Sequence, residues 1–424
     1  MMSCEIYKMH RMRECMKTTK EIEKNFGLTR RTLHNWIAEG LIESPQKDWR
    51  GWFIWSKEHE KEIAQILILK QKEKNCDTVL GQSNMKLKIT NRRYIGSKQK
   101  MLDFIADVVE KNTENIDVVA DVFGGTGSVA DMFRKQGKKI IINDLLYSNY
   151  ISFIVWFGNE SVDYEKIIFL IAELNNLNAV RDNYVSKNFG NRYFSIENAR
   201  KIGAIRQKID SYKNLNDRER AFLLVSLLYA TDKVANTVGH YDAYRKRMDT
   251  LNPIFLRVPE LNWNQPNLIY QKDANELVRN FKADLVYIDT PYNSRQYGDA
   301  YHLLENIMEW KKPVVEGVAM KMVNRQHIKS SYSTSKAPQA FDDLISHINS
   351  KYILVSYNNM NQKGSGRSNA KISNEEIITS LEKRGKVNIF STNFNVFTTG
   401  KTNINDHKEL LYLCEVNVFN DAKR

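Results

Sequence analysis

The sequence predicts an α/β fold with a smaller unit at its N-terminus, and three observations lead to this prediction. From Arg92 onward, short runs rich in Val, Ile and Leu alternate with longer amphipathic segments, as expected for strands covered by helices on both faces. Residues 1 to 75 have a different sequence pattern, with short helical stretches and a basic, tryptophan-rich patch. A chain of 424 residues also exceeds the size at which one core usually stops growing, so we expect two or three domains.

The predicted domain boundaries follow these changes in sequence pattern and composition. We expect an N-terminal module over residues 1–75, a linker over 76–91, one half of the α/β core over 92–150, an insertion over 151–262 and the other half over 263–424. The linker is marked by turn-forming residues around Gly81 and Ser83. The insertion has a mainly helical pattern and is far longer than an ordinary loop, so we expect a subdomain with its own function.

Composition narrows the class of protein. The chain carries 63 Lys and Arg against 50 Asp and Glu, a formal net charge of +13, which favours a polyanionic partner such as nucleic acid. Its cysteines are scattered and form no Cys-x-x-Cys pair: Cys4, Cys15, Cys76 and Cys414. This pattern predicts no disulfide framework, no metal site and a reducing cytoplasm as the natural compartment. No apolar run reaches the roughly 18 residues of a membrane helix, and the N-terminus lacks a secretory pattern, so we expect no membrane partner.

Acidic residues recur where the predicted core strands end. The strands are predicted over residues 117–123, 138–144, 268–273, 283–289, 351–357, 386–390 and 409–416. Four of them carry an aspartate at or close to the end: Asp121, Asp144, Asp273 and Asp289. Ligands of open α/β sheets bind outside the carboxyl ends of the strands, so this set predicts a polar ligand there. The alternative is that aspartate often begins turns after strands, which explains one such residue better than four.

A glycine-rich loop follows the first core strand. In the segment from Asp121 to Ala130, Gly125-x-Gly127-x-x-Ala130 is typical of nucleotide-binding α/β folds, because glycine allows tight turns and close approach of a ligand. Asp144 ends the next strand, where a carboxylate can accept bonds from ribose hydroxyls. The loop alone does not separate NAD from S-adenosylmethionine, and a structural strand–helix turn is the bland alternative. The segment lacks the Lys-Ser/Thr of a phosphate-binding loop, which disfavours an ATPase.

The tetrad Asp289-Thr290-Pro291-Tyr292 follows a predicted strand and suits methylation of an exocyclic amino group on a nucleobase. The Asp289 carboxylate and the carbonyl of Thr290 can accept both N–H bonds, which turns the nitrogen lone pair toward a methyl sulfonium. The carboxylate also stabilises the positive charge that develops on that nitrogen. The Tyr292 ring can stack on a base taken out of the helix. The alternative is a chance turn at a strand exit.

Taken together, these motifs resemble the Dam-like, alpha-class adenine-specific DNA methyltransferases over about three quarters of the chain. The shared order is Arg93-Tyr-Ile-Gly-Ser-Lys98, the Phe-Gly-Gly-Thr-Gly loop, an insertion and the tetrad. Tyr301-His-Leu-Leu-Glu305 and Val355-Ser-Tyr-Asn-Asn359 also fit the resemblance. It implies a Rossmann-like sheet that binds S-adenosylmethionine, and transfer of its methyl group to N6 of adenine in double-stranded DNA. The partner at the pathway level would be a cognate restriction endonuclease, unless the enzyme is solitary.

The resemblance assigns roles to individual residues. Threonine at position 290 departs from the usual proline of the family, but the backbone carbonyl remains and only some rigidity of the turn is lost. The implied cofactor-binding residues are Tyr94, Lys98, Asp121, Phe123, Gly124, Gly125, Gly127, Asp144, Asp273 and Asp289. Among them, Asp144 is the ribose acid, and Asp273 is the acid beside the adenine of the cofactor. The implied catalytic residues are Asp289, Thr290, Pro291 and Tyr292.

The same family implies that the insertion reads the DNA sequence. Its polar, aromatic stretch from Lys233 to Met248 contains candidate DNA contacts, namely Asn236, His240, Arg245 and Lys246. Asn and Arg make bidentate bonds to base edges, and Lys and Arg neutralise phosphates. A solvated basic helix with aromatic packing is an equally weighted alternative.

The N-terminal module resembles a MerR-type winged helix-turn-helix over roughly 55 residues. Thr18 to Glu21 fits a capping box, Gly27 a turn and Thr29 a second cap. The following helix presents the predicted DNA contacts Arg30, Arg31, His34 and Asn35, and residues 49–55 are a candidate wing. The alternative is a helical cap on the catalytic domain.

Three rival functions stay open on the sequence alone. N4 of cytosine is methylated with the same geometry, although that class more often has serine in place of Asp289. RNA or a glutamine side chain is another possible acceptor. The third rival is a transcription regulator whose methyltransferase fold only senses a metabolite.

Overall fold

The computed structural model describes residues 16–67, 86–291, 294–358, 370–393 and 408–417. The chain divides between Gln82 and Ser83 into two compact units. Several residues of the sequence analysis lie outside the described ranges: Cys4, Cys15, Cys76, Tyr292, Asn359 and most of the predicted linker.

The N-terminal unit begins with two short helices that start and end at the predicted signals. Thr18 accepts a hydrogen bond from the amide of Glu21 while the Glu21 carboxylate accepts one from the amide of Thr18, so the capping box is confirmed. Gly27 ends the first helix in the left-handed region at φ 64°, and Thr29 caps the second. The elements are β1 Lys17–Thr18, α1 Thr19–Phe26, α2 Arg30–Ala38, β2 Gln46–Lys47 and β3 Phe53–Trp55, followed by helical residues 57–67.

A small apolar core holds this unit together. The strands form an antiparallel sheet in the order β1-β3-β2, and apolar side chains from helices and sheet meet beneath it. Its buried members are Ile22, Leu33, Trp36, Ile42, Trp55, Ile63 and Ile66. The four predicted DNA contacts of α2 are all exposed, so α2 turns its polar face to solvent: Arg30, Arg31, His34 and Asn35.

The larger unit is a mixed α/β domain. Its strands are β4 Val118–Asp121, β5 Lys139–Asn143, β6 Leu268–Tyr270, β7 Ala283–Ile288, β8 Val315–Glu316, β9 Lys321–Met322, β10 Ser350–Asn358, β11 Gly385–Asn393 and β12 Lys408–Val416. Its helices are α3 Leu102–Asn112, α4 Ser128–Lys135, α5 Tyr147–Phe157, α6 Tyr164–Asn175, α7 Tyr184–Phe189, α8 Ile196–Ser211, α9 Asp217–Lys233, α10 Ala274–Leu277, α11 Tyr297–Ala300, α12 His302–Glu309, α13 Ala337–His347 and α14 Asn374–Glu382.

Seven of these strands form the central sheet, in the order β11-β12-β10-β7-β4-β5-β6. Neighbours from β10 to β6 run parallel, whereas β12 is antiparallel to both β10 and β11. The mixed α/β class with a mostly parallel sheet is therefore confirmed, and each predicted core strand is present. Parallel pairing places the carboxyl ends of β4, β5 and β7 at one edge, which positions the site described below.

The insertion is mainly helical, as predicted, and supplies helices α6 to α9 and most of α5. Helix α9 starts with a capping box between Asn216 and Glu219 and is buried along most of its length. The polar stretch that follows, residues 234–250, is irregular. Within the described ranges, every helix is too short or too polar to cross a membrane.

Candidate active site

A cavity opens at the carboxyl ends of β4, β5 and β7. It encloses about 920 Å³ of space, including its open mouth. It brings together most of the predicted cofactor and catalytic residues: Tyr94, Lys98, Asp121, Phe123, Gly124, Gly125, Asp144, Asp273, Asp289 and Pro291. The four strand-end aspartates therefore meet in one place, although they are up to 168 positions apart in sequence.

The glycine loop forms one wall of the cavity. Gly125 has a φ of 54°, and a Cβ there would lie 3.2 Å from the ring of Tyr94, so a side chain would be strained and crowded. Gly127, at φ 81°, contributes differently: it begins helix α4 and packs against Phe157, behind the lining residues. The loop leaves room for a ligand beside the backbone, as the glycine pattern predicts.

Asp144 connects this loop to the next helix through backbone hydrogen bonds. One carboxylate oxygen accepts from the amide of Gly125 at 2.9 Å, and the other accepts from the amide of Leu146 at 2.8 Å. Burial raises its pKa, whereas these two bonds lower it. The side chain of Asn149 adds a further hydrogen bond that lowers the pKa of Asp144. Asp144 lines the cavity, where a carboxylate can accept bonds from ribose hydroxyls.

Asp273 lies at the exposed mouth of the cavity. One of its oxygens accepts from the amides of Asn275 and Glu276, at 2.9 and 3.3 Å, and so caps helix α10. Asp273 therefore fulfils both interpretations of a strand-end aspartate, because it begins a turn and also lines the cavity.

Asp121 is buried at the centre of the cavity with one oxygen, Oδ1, that has no hydrogen-bond partner among the described residues. Burial raises its pKa well above its usual range, and the carboxylates of Asp289 and Asp144 raise it further. An orphaned acceptor of this kind needs a donor from a ligand. The amino group of S-adenosylmethionine supplies such a donor, so the residues present fit this cofactor.

Asp289 follows strand β7 and is held by an ion pair. The ammonium of Lys98 lies 3.2 Å from Oδ1 of Asp289 and 3.7 Å from Oε2 of Glu409, on strand β12. Withdrawal from water raises the pKa of Asp289 to about 6; Lys98 opposes this rise and Glu409 adds to it. Near neutral pH the carboxylate is thus mostly ionised and available as an acceptor.

The rest of the tetrad is described only in part. Thr290 is buried, and its hydroxyl has no hydrogen-bond partner among the described residues. Pro291 lines the cavity, whereas Tyr292 lies outside the described residues.

Aromatic stacking behind the cavity supports the Tyr94–Lys98 segment. The rings of Tyr94 and Tyr301 are parallel with centroids 4.7 Å apart, and the guanidinium of Arg92 lies 5.3 Å from the Tyr94 centroid. The amide of Ile95 donates to the hydroxyl of Tyr301 at 2.8 Å. Arg92 also donates to Asn149, at 2.6 Å, near the start of α5. Sequence reasoning gave these residues no role, apart from the predicted site residue Tyr94.

Glu305 is a second supporting residue without a predicted role, although it belongs to a quoted motif. It is fully buried, and its carboxylate accepts from the amides of Tyr147 and Ser148 at 2.8 and 2.9 Å. These amides begin α5 directly after the Asp144 turn. Burial raises the pKa of Glu305 to about 7. The helix after the tetrad thus holds the cofactor side of the cavity in place.

The predicted DNA contacts of the insertion fall into two groups. Arg245 and Lys246 are exposed. Asn236 is buried, with 1% of its surface exposed, and its amide donates to the carbonyls of Arg192 and Arg245. His240 is half-buried, 3.6 Å from Asp242, and burial lowers its pKa. Without a rearrangement of this loop, only the first group faces solvent.

The same loop is attached to the second half of the α/β core, residues 263–424. The amide of Tyr241 donates to the carbonyl of Ala300 at 2.7 Å. Asp242 pairs with Lys321 at 2.9 Å and approaches Arg295, which follows the tetrad, at 3.7 Å. Asp242 of the insertion is therefore linked by charge to two residues that follow the tetrad in the chain, Arg295 and Lys321.

Comparison with protein families gives one decisive match. The model of the D12 class N6 adenine-specific DNA methyltransferases matches residues 94–365, a range that contains the glycine loop, the insertion and the tetrad. The chain belongs to this family. The resemblance to adenine-specific DNA methyltransferases is thereby confirmed.

Curated relatives of this D12-class methyltransferase are modification enzymes by name. The modification methylase StsI of Streptococcus sanguinis is 39% identical over 63% of this chain, and the match covers 44% of StsI. The type II methyltransferase M.NlaIII of Neisseria lactamica is 32% identical over 74% of this chain and 95% of its own length. For M.FokI of Planomicrobium okeanokoites, 34% identity extends over 62% of this chain and 44% of the relative. The chain thus spans under half of StsI and M.FokI.

The family match begins at residue 94 and so leaves out the N-terminal unit. Within the D12-class core, the match includes each predicted cofactor and catalytic residue by position. It does not test their individual roles.

Proposed function

We propose that this chain is a site-specific DNA methyltransferase that transfers the methyl group of S-adenosylmethionine to N6 of adenine in double-stranded DNA. The carrying observation is the placement of Asp289 in one cavity with the glycine loop and Asp144. Family membership and the modification methylases among the relatives support the same reaction. We place this activity in a restriction–modification system, alongside a cognate endonuclease, in the cytoplasm of a bacterium or a phage-infected cell.

The chemistry follows from the positions of the acceptors. An adenine amino group is a poor nucleophile because its lone pair is delocalised into the ring. Asp289 and the carbonyl of Thr290 accept its two protons and turn the lone pair toward the methyl donor, and Tyr292 stacks on the extruded base. Positive charge grows on the nitrogen as the bond forms, and the ionised Asp289 stabilises it.

The cofactor is held by the opposite side of the cavity. S-adenosylmethionine supplies an electrophilic methyl group on a sulfonium, which is a good leaving group. Asp121 would accept a hydrogen bond from its amino group, the glycine loop would hold its methionine part, Asp144 would accept from its ribose, and Asp273 would bind near its adenine. Holding both reactants in line contributes much of the rate enhancement.

The direct test uses tritiated S-adenosylmethionine and unmethylated plasmid DNA, followed by digestion to nucleosides. Label in N6-methyladenine is the expected result. Label in N4-methylcytosine supports the cytosine alternative, and absence of label with specific promoter binding supports a regulator. The Asp289→Ala variant is the control for a contaminating activity.

For DNA recognition we propose two surfaces. In the insertion, exposed Arg245 and Lys246 contact phosphates or base edges, and Asn236 and His240 contribute when the loop rearranges on the duplex. In the N-terminal unit, we propose a winged helix-turn-helix in which α2 enters the major groove. The exposed Trp49 and Trp52, each with an arginine over its ring at 5.3 and 5.7 Å, support a wing that meets DNA.

The Arg30→Ala/Arg31→Ala double variant of the full chain tests the second surface. We expect weaker duplex binding with a shallower salt dependence, because each lost phosphate contact lowers the slope. Lys20→Ala/Lys24→Ala, on the exposed face of α1, is the matched control. If both double variants weakened duplex binding equally, the loss would reflect only the change in net charge. That result would contradict a docking role for α2.

A further inference from the structure

We infer that Glu409 is a positioning residue of the methyl-transfer reaction: it receives the ammonium of Lys98 when the target amino group takes that ammonium's place at Asp289. The inference rests on the proposed function and adds a residue from the last strand of the sheet. Glu409 acts through Lys98 and does not line the cavity.

The first observation is a conflict at Asp289. Its Oδ1 is 3.2 Å from the Lys98 ammonium, which occupies one of the positions from which a base amino group would donate. A cation at that point also opposes the positive charge that grows on the attacking nitrogen. Lys98 therefore has to withdraw before transfer.

The second observation is an alternative acceptor for the Lys98 ammonium. Glu409 is 94% buried, since only 6% of its surface is exposed, and its Oε2 has no hydrogen-bond partner among the described residues. This oxygen is 3.7 Å from the same ammonium, so a shift of about 1 Å brings it within hydrogen-bond distance.

Burial makes this second acceptor necessary. Lys98 is 7% exposed, and a buried ammonium left without a carboxylate is strongly unfavourable. With Glu409 present, Lys98 exchanges one carboxylate for another and remains paired throughout. Without that charge, Lys98 stays at Asp289 and competes with the base.

Among the described residues, the other titratable groups that interact with this exchange include two aspartates and a tyrosine, and Lys272 lines the same cavity. The carboxylates of Asp289 and Asp144 both raise the pKa of Asp121, and those of Asp289, Asp121 and Glu409 raise the pKa of Tyr287 on β7. Lys98 is the cation that pairs with both Asp289 and Glu409.

The test compares wild type, Glu409→Gln and Glu415→Gln by the initial rate of label transfer to adenine between pH 5 and 9, with saturating cofactor and plasmid DNA. Glu415 is the matched control, because it lies on the same strand but is exposed. We expect kcat of Glu409→Gln to fall about tenfold at pH 8, as is typical of coupling between contacting residues. The acid limb of its pH–rate profile should also move to lower pH, because Lys98 pairs more tightly with Asp289. Glu415→Gln should match wild type.

The Lys98→Met variant, alone and combined with Glu409→Gln, completes a double-mutant cycle. Lys98→Met should move the acid limb the opposite way, to higher pH, and Glu409→Gln should cause little further loss of kcat in that background. An unmoved acid limb in Glu409→Gln, or an equal loss with and without Lys98, would show a merely structural role and overturn the inference. If wild type labels no adenine, the proposed function fails and the inference fails with it; a labelling wild type leaves the variants to decide the inference alone.

Discussion

Asp144 and Asp289 lie in the same cavity and are held in opposite ways. Both carboxylate oxygens of Asp144 accept from backbone amides, at 2.9 and 2.8 Å. Asp289 is held by a side chain, the ammonium of Lys98 at 3.2 Å, which has another carboxylate within reach. Backbone donors cannot leave without unfolding the loop, whereas a lysine can change partners by a small rotation. A permanent scaffold suits the proposed cofactor contact of Asp144, and an exchangeable ion pair suits the proposed contact of Asp289 with a new base in every turnover.

The largest effect is expected at the exchangeable site. Asp289→Asn preserves shape but removes the anion that we propose stabilises charge on the attacking nitrogen, so kcat should fall by about 10²- to 10³-fold. Binding of S-adenosylmethionine, measured by calorimetry, should change by less than about threefold, since removing the anion leaves the other cofactor-binding groups in place. A folded variant with normal turnover would remove Asp289 from the reaction.

At the permanent site the loss should appear in binding. Asp144→Ala removes the acceptor for the amides of Gly125 and Leu146 and the proposed acceptor for the ribose. We expect cofactor affinity to weaken by about 10- to 100-fold, the range for a bond to a charged group. Asp117→Ala, at the exposed amino end of β4, is the control. Equal affinities in both variants would contradict the contrast between the two aspartates.

The pH dependence sharpens the comparison. The pKa of Asp289 is raised to about 6, so its accepting, ionised form is lost as pH falls through that value. We expect kcat to rise about tenfold from pH 5 to 7 and then level off. Glu305, with a pKa of about 7, is the other candidate for this limb. The Glu305→Gln variant should keep the limb near pH 6; its disappearance would assign the limb to Glu305.

The smallest effect is expected beside Asp289. Thr290→Pro removes a buried hydroxyl that has no partner among the described residues and stiffens the turn. Activity should be retained, and the free energy of unfolding should change by less than about 1 kcal/mol, measured by denaturant titration. Thr290→Gly is the informative contrast, because it loosens the same turn and should lower kcat. An inactive but folded proline variant would contradict the proposed use of the 290 carbonyl.

The fold was largely predictable because buried parallel strands carry a strong local signal. Each core strand is found where runs such as residues 138–144 and 283–289 predict it, and the helix from Asp217 extends only three residues beyond its predicted end at Ala230. The cavity was also predictable in outline. Acids at strand ends share one edge of a parallel sheet whatever the loops between them do.

Contacts between distant parts of the chain were not predictable from one sequence. Lys98, Asp289 and Glu409 are separated by more than 100 residues at each step, so no local pattern links them. The one available signal was a glutamate at the start of the apolar run 409–416. Asn236 shows a second limit of sequence analysis. An asparagine that stabilises a loop through buried hydrogen bonds cannot be distinguished in sequence from one that contacts a base.

The position of β12 has a consequence for synthesis. This strand lies between β10 and β11, yet it follows both in the chain, and it carries Glu409. A nascent polypeptide therefore has an open groove in its sheet until residue 416 has left the ribosome, which elongates by about 5–20 residues per second. Chains interrupted before residue 408 would lack both this strand of the central sheet and the Glu409 carboxylate beside Lys98.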